Sequence, residues 1–80
     1  MVEVSDSRDQ KGGAMSKLKR IREERGMTQA SLSDKSGVSK RLIQAYEQGY
    51  KDINKAQVLT VVRLAKALGC YVTDLIEEVE

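Results

Sequence analysis

Apolar residues recur three and four positions apart from Leu18 to Ile76, and glycine interrupts the recurrence at positions 26, 37, 49 and 69. That spacing lines one face of a helix, and glycine enters the left-handed conformation that closes a helix without steric cost. The chain therefore divides into five predicted helices. The first covers Ser16 to Arg25, opening on a serine that can cap free N–H groups and carrying Leu18 and Ile21 inward. The second starts at Thr28, another good cap, and runs to Ser36 with Ala30, Leu32 and Ser33 as its inward positions. Gly37 ends it, and Ser39 caps a third that reaches Gln48. A polar connection, Tyr50 to Lys55, leads to a fourth helix ending at Leu68, with Val58, Val61, Val62, Ala65 and Leu68 on one stripe. After Gly69, Thr73 is expected to cap a short fifth helix from Asp74 to about Val79, with Asp74 facing its positive end. The predicted core is Leu18, Ile21, Leu32, Val38, Leu42, Ile43, Tyr46, Val58, Val62, Leu68, Leu75 and Ile76. No strand pattern competes with this reading.

Residues 1–14 break the periodicity with Ser, Asp, Arg, Gln, Lys and a glycine pair, and read as a flexible leader ahead of a single domain over residues 15–80. Met15, just before the first capped helix, is either a start site or an internal residue. A core of this size yields a net stability of roughly 3 to 5 kcal/mol unless a partner or ligand adds to it.

Composition then narrows the chemistry. There is no His, and Cys70 is the one cysteine. An imidazole base, a cysteine-based metal site and an intrachain disulfide are thereby excluded, so neither an enzyme nor a bound metal or cofactor is expected. Cys70 reads as a small buried hydrophobe. A lone cysteine without a signal-like N-terminus fits a reducing cytoplasm, and no apolar stretch approaches the ~20 residues that span a bilayer.

The net charge of +2 conceals an asymmetry. Residues 1–14 carry Arg8 and Lys11 against Glu3, Asp6 and Asp9, a net −1. Residues 15–56 hold ten Lys and Arg against Glu23, Glu24, Asp34, Glu47 and Asp52, a net +5. Residues 57–80 set Arg63 and Lys66 against Asp74, Glu77, Glu78 and Glu80, a net −2. A basic middle and an acidic end suggest one face turned toward a polyanion.

The basic middle contains a motif. Thr28 to Gly49 reads as two short helices joined by a tight turn at Gly37-Val38-Ser39, the layout of a helix-turn-helix unit. At about 100° per residue with Lys40 at zero, Gln44, Gln48, Arg41 and Ala45 fall between about 40° and 140°. Leu42, Tyr46 and Ile43 fall on the opposite side. Lysine and arginine donate to guanine O6 and N7, while glutamine both donates to and accepts from adenine, so the polar arc has the groups that read base edges. Glu47, at about 340°, borders that arc without entering it.

From Lys17 to about Ile76 the sequence resembles the lambda-repressor-like domain of the Cro/repressor (XRE) helix-turn-helix family. The matching pieces are Leu18-x-x-Ile21-Arg22, Gly26-Met27-Thr28-Gln29, Leu32 followed by a small residue, Gly37-Val38-Ser39, and Ile43-x-x-Tyr46-Glu47-x-Gly49. Leu64-Ala65-Lys66-Ala67-Leu68-Gly69 and Val72-Thr73-Asp74-Leu75-Ile76 complete the match. Ser33 and Ser36 stand where the family usually carries alanine or another small apolar residue, and Ala45 stands where some members carry a base-reading amide.

The resemblance implies an all-α fold, a compact five-helix bundle whose third helix enters the major groove of double-stranded DNA. Lys40, Arg41 and Gln44 become base readers, with Ala45 offering an apolar contact to a thymine methyl. Thr28, Gln29, Ser39, Gln48, Lys51 and Lys55 become phosphate contacts. Arg22 and Glu47 match a pair that forms a partly buried salt bridge between the first and third helices. The function implied is a sequence-specific transcriptional regulator, most simply a repressor. Useful specificity requires two half-sites and hence a dimer, expected through the fourth and fifth helices with Tyr71, Val72, Leu75, Ile76 and Val79 at the contact. A second reading is an antitoxin or mobile-element accessory protein that uses the same fold mainly to bind a protein partner.

Overall fold

The computed structural model describes residues 16–77. Five α-helices follow in order: α1 (Lys17–Glu24), α2 (Gln29–Ser36), α3 (Lys40–Gln48), α4 (Val58–Leu68) and α5 (Val72–Leu75), with a 3₁₀ turn at Ile53–Lys55 before α4. No strand occurs among the described residues. The expected leader and Val79 lie outside them.

Local hydrogen bonding explains why the first three helices begin where they do. The hydroxyls of Ser16, Thr28 and Ser39 accept the N–H groups of Lys19, Ser31 and Leu42 at 3.0, 3.0 and 3.1 Å. Each satisfies a donor that a helix start leaves without an intrahelical acceptor. At Thr28 the arrangement is reciprocal, since Ser31 Oγ accepts the Thr28 N–H at 3.0 Å. Gly37 and Gly49 close α2 and α3 at φ 78° and 83°. A Cβ at either position would meet no atom within 4 Å. Their requirement is thus conformational and not spatial.

These helices wrap around a core of Leu18, Ile21, Leu32, Val38, Ile43, Ile53, Val61, Leu64, Ala65, Ala67, Leu68 and Leu75. α2 packs on α3 and α4, α1 on α3 and α5, and α4 on α5. Arg25 ties the first helix to the fourth by donating from Nε to the carbonyl of Leu68 at 2.8 Å. That carbonyl belongs to the last turn of α4, where a cation also complements the helix dipole.

Several expectations are corrected. Ala30, expected inward on α2, is exposed, and Val62, expected in the core, is half-buried and outside the core cluster. Val58, predicted to be core, is 76% exposed. It opens α4 beside the exposed Leu59, and burial on that helix falls instead on Val61, Leu64, Ala65, Ala67 and Leu68. Thr73 does not cap α5, which starts two residues earlier, after Tyr71. The start is set by Asp74, whose carboxylate reaches back to accept the Tyr71 N–H at 2.9 Å. Finally, Leu75 is fully buried in the protein's own core, and Val72 and Ile76 pack against it. Leu75 is therefore unavailable to a second subunit. The large apolar side chains exposed near α4 and α5 are Val58, Leu59 and Tyr71.

Candidate nucleic-acid interface

The interface begins with a buried ion pair. Arg22 of α1 donates from Nε to Glu47 Oε2 at 2.7 Å and from Nη2 to Glu47 Oε1 at 3.1 Å. Its Nη1 donates to the carbonyl of Met27 at 2.8 Å. The Glu47 side chain is 2% exposed and that of Arg22 10%. Hydrogen bonding to Glu47 holds the Arg22 guanidinium above its ordinary pKa against the opposing effect of burial. Planar, two-pronged pairing of this kind fixes direction as well as distance. It orients α3 relative to α1 and to the residue that leads into α2.

With Glu47 turned inward, the outward surface of α3 carries no carboxylate. Lys40, Arg41 and Gln48 are exposed, and Gln44 and Ala45 are half-buried beside them. Among the described residues nothing covers the lysine and arginine, so both can reach a ligand lying along the helix.

Gln29, in the first turn of α2, is held closer to the protein than its sequence position suggests. Its Nε2 donates to Glu47 Oε1 at 2.9 Å, and its Oε1 accepts from Gln44 Nε2 at 3.1 Å. One N–H of its amide remains for an anion, at a helix N-terminus where an anion is electrostatically favoured. Thr28 and Ser39 use their oxygens as caps, which leaves each hydroxyl proton free to donate outward.

Lys51 and Lys55 are exposed on the connection that follows α3. That connection is built and not loose. The N–H groups of Tyr50 and Lys51 both donate to the carbonyl of Ala45, at 2.9 and 3.2 Å. Asp52 Oδ1 accepts the N–H of Asn54 at 2.9 Å, a side-chain turn of the kind aspartate favours. Asn54 then makes a reciprocal pair with the backbone of Glu77, donating from Nδ2 to its carbonyl and accepting its N–H, both at 2.8 Å. The Glu77 carboxylate accepts the N–H of Lys17 at 2.8 Å. The segment bearing the two lysines is thus fastened to the far end of the chain and to the start of α1. Sequence reading missed Asn54 and Glu77; only the Asp-x-Asn spacing hinted at an ordered turn.

Cys70 is half-buried, and burial followed by the nearby Asp74 pushes its thiol pKa up. A thiol so held is not activated as a nucleophile. Among the described residues no group of His, Cys, Asp and Glu could hold a metal ion. No described helix is long and apolar enough to cross a membrane.

The helix-turn-helix family model matches residues 18–75 of this chain. No curated protein matches it. Among solved structures it is similar to the restriction-modification controller protein C.AhdI from Aeromonas hydrophila, at 23% identity and a TM-score of 0.67, over 75% of this chain and 86% of that one. At that identity the likeness is one of fold. Both comparisons agree with the all-α helix-turn-helix fold described above. On the match over residues 18–75, the chain belongs to the XRE-type helix-turn-helix family of DNA-binding transcriptional regulators.

Proposed function

We propose that this chain is a sequence-specific, double-stranded DNA-binding repressor in the cytoplasm, acting as a dimer that lays one α3 in the major groove of each half-site. The observation that carries this reading is the outward surface of α3, where Lys40, Arg41, Gln44 and Gln48 share a helix face with no carboxylate of that helix because Glu47 is turned in to Arg22. Lys40, Arg41 and Gln44 are the base readers, and Ala45 contributes an apolar contact. Thr28, Gln29, Ser39, Gln48, Lys51 and Lys55 hold phosphates on either side. Two half-sites one helical turn apart give the specificity that one small domain lacks. The dimer contact is proposed at α4 and α5, on the exposed side of Val58, Leu59 and Tyr71.

Duplexes selected by the protein from a random pool test the reading. In gel shifts on the selected site, Lys40→Ala and Arg41→Ala are each expected to change base preference, at a cost of about 1 to 3 kcal/mol per lost contact. If both weaken all duplexes equally, these side chains do not read bases. Lys51→Ala is expected to lower affinity almost independently of sequence and to reduce the salt slope by about 1. Sedimentation with a selected palindrome should give two protomers per duplex. A protein that stays monomeric in sedimentation on its own, with the apolar side chains of α4 and α5 exposed, would favour the antitoxin-like reading, with a protein as its main partner.

A further inference from the structure

Asn54 stands between the two lysines of the connection, and its amide is spent on the backbone of a single residue. Nδ2 donates to the Glu77 carbonyl and Oδ1 accepts the Glu77 N–H, both at 2.8 Å. Turned over, the amide would set NH₂ against N–H and oxygen against oxygen, so only one orientation fits. Ile76 leaves α5 as extended backbone, at φ −75° and ψ 129°, and Glu77 follows it. The Glu77 carboxylate in turn accepts the N–H of Lys17, the first residue of α1, at 2.8 Å. One residue, 23 positions from Asn54 and 60 from Lys17, thus ties the connection to the start of the bundle. Asn54, Glu77 and Lys17 are half-buried, while Lys51 and Lys55 are exposed. Asn54 and Glu77 bury no apolar side chain of their own; what they fix is the course of the backbone from which two cations project.

We propose that Asn54 and Glu77 are positioning residues for DNA binding: their clasp orders the segment bearing Lys51 and Lys55 before DNA arrives, and so sets the strength of binding and not its sequence preference. This rests on the phosphate contacts proposed above for the two lysines. A lysine on an unordered segment must be immobilised when it meets a phosphate, and the freedom lost subtracts from affinity; a segment already held gives up less. Phosphate contacts carry register and strength but no direct sequence information, so the effect falls on every duplex alike. None of the hydrogen bonds that Asn54 and Glu77 make among the described residues reaches α3. Base reading by Lys40 and Arg41 is therefore left as it was when the clasp is opened.

The test uses the full chain with one duplex selected from a random pool and one unselected duplex, at a temperature where melting curves show each variant folded. Asn54→Ala removes both bonds to Glu77 and is expected to weaken both duplexes by about three- to ten-fold, with the ratio between them unchanged. In a Lys51→Ala, Lys55→Ala background the same substitution should change affinity by less than about two-fold, since no cation is left for the clasp to place. Glu77→Gln keeps an acceptor for the Lys17 N–H and Glu77→Ala does not, at equal charge, so the alanine variant should bind about two-fold or more weaker than the glutamine variant. That second pair decides the question if Asn54→Ala does not fold. An Asn54→Ala loss that persists in full without the lysines, equal binding by the two Glu77 variants, or a changed ratio between the duplexes would each overturn the proposal. If removing both lysines alters neither affinity nor salt slope, the phosphate contacts beneath it fall, and the proposal with them.

Discussion

Replacing Glu47 by alanine is expected to lower the melting midpoint by roughly 12 °C or more, because it strands a buried guanidinium. Arg22 would keep the Met27 carbonyl and lose both bonds to the carboxylate, with Glu23 Oε2 the remaining charge at 3.8 Å. Removing one partner of a buried pair costs about 3 to 5 kcal/mol, comparable to the whole net stability of a domain this size. The pair itself is not the reason the domain folds. A double replacement, Arg22→Met with Glu47→Leu, removes both charges and fills a similar volume, and is expected to melt close to the wild type. Circular dichroism of the two variants decides the matter: a Glu47→Ala protein that melts within a few degrees of the wild type would show that Arg22 finds water or another partner.

The double variant also separates stability from reading. It keeps the bundle but leaves Gln29 without the acceptor that orients it, so selectivity at the Gln44 base pair should fall while the fold persists. A buried charge pair that contributes little net stability then acts through the direction it gives to neighbouring amides. This is a role for which a hydrophobic pair of the same volume is no substitute.

The helix starts were legible because they are decided locally. Ser16, Thr28 and Ser39 each reach an N–H three residues on, a bond that depends on sequence spacing alone. Gly37 and Gly49 were legible for the same reason, since left-handed backbone is a property of the residue itself. Thr73 misled because two residues near the start of α5 had capping chemistry, and Asp74 reaching backward prevailed over a threonine reaching forward. Val58 misled because it lies on the stripe of its helix, but burial begins only at Val61, one turn further on. The outward face of α3 followed from angular position, yet the amide chain from Glu47 through Gln29 to Gln44 did not. It joins α2 to α3 through side chains 15 and 18 residues apart, and no periodicity encodes that.

The second large effect is expected at Ile53, the one aliphatic residue in the polar connection from Tyr50 to Lys55. Isolated among charged and amide neighbours, it gives no periodic signal, yet it is 5% exposed and belongs to the core. Ile53→Ala removes three carbons from a packed site and should cost about 2 to 5 kcal/mol, enough to leave much of the protein unfolded. Ile53→Val should cost only about 0.5 to 1.5 kcal/mol and remain folded. The connection is anchored at three points: on α3 by the Ala45 carbonyl, in the core by Ile53, and on the chain end by Asn54 and Glu77. Lys51 and Lys55 ride on that frame, so the phosphate contacts proposed for them would depend on the buried Ile53 side chain. An Ile53→Ala protein that melts near the wild type would show instead that the connection is held by its hydrogen bonds alone.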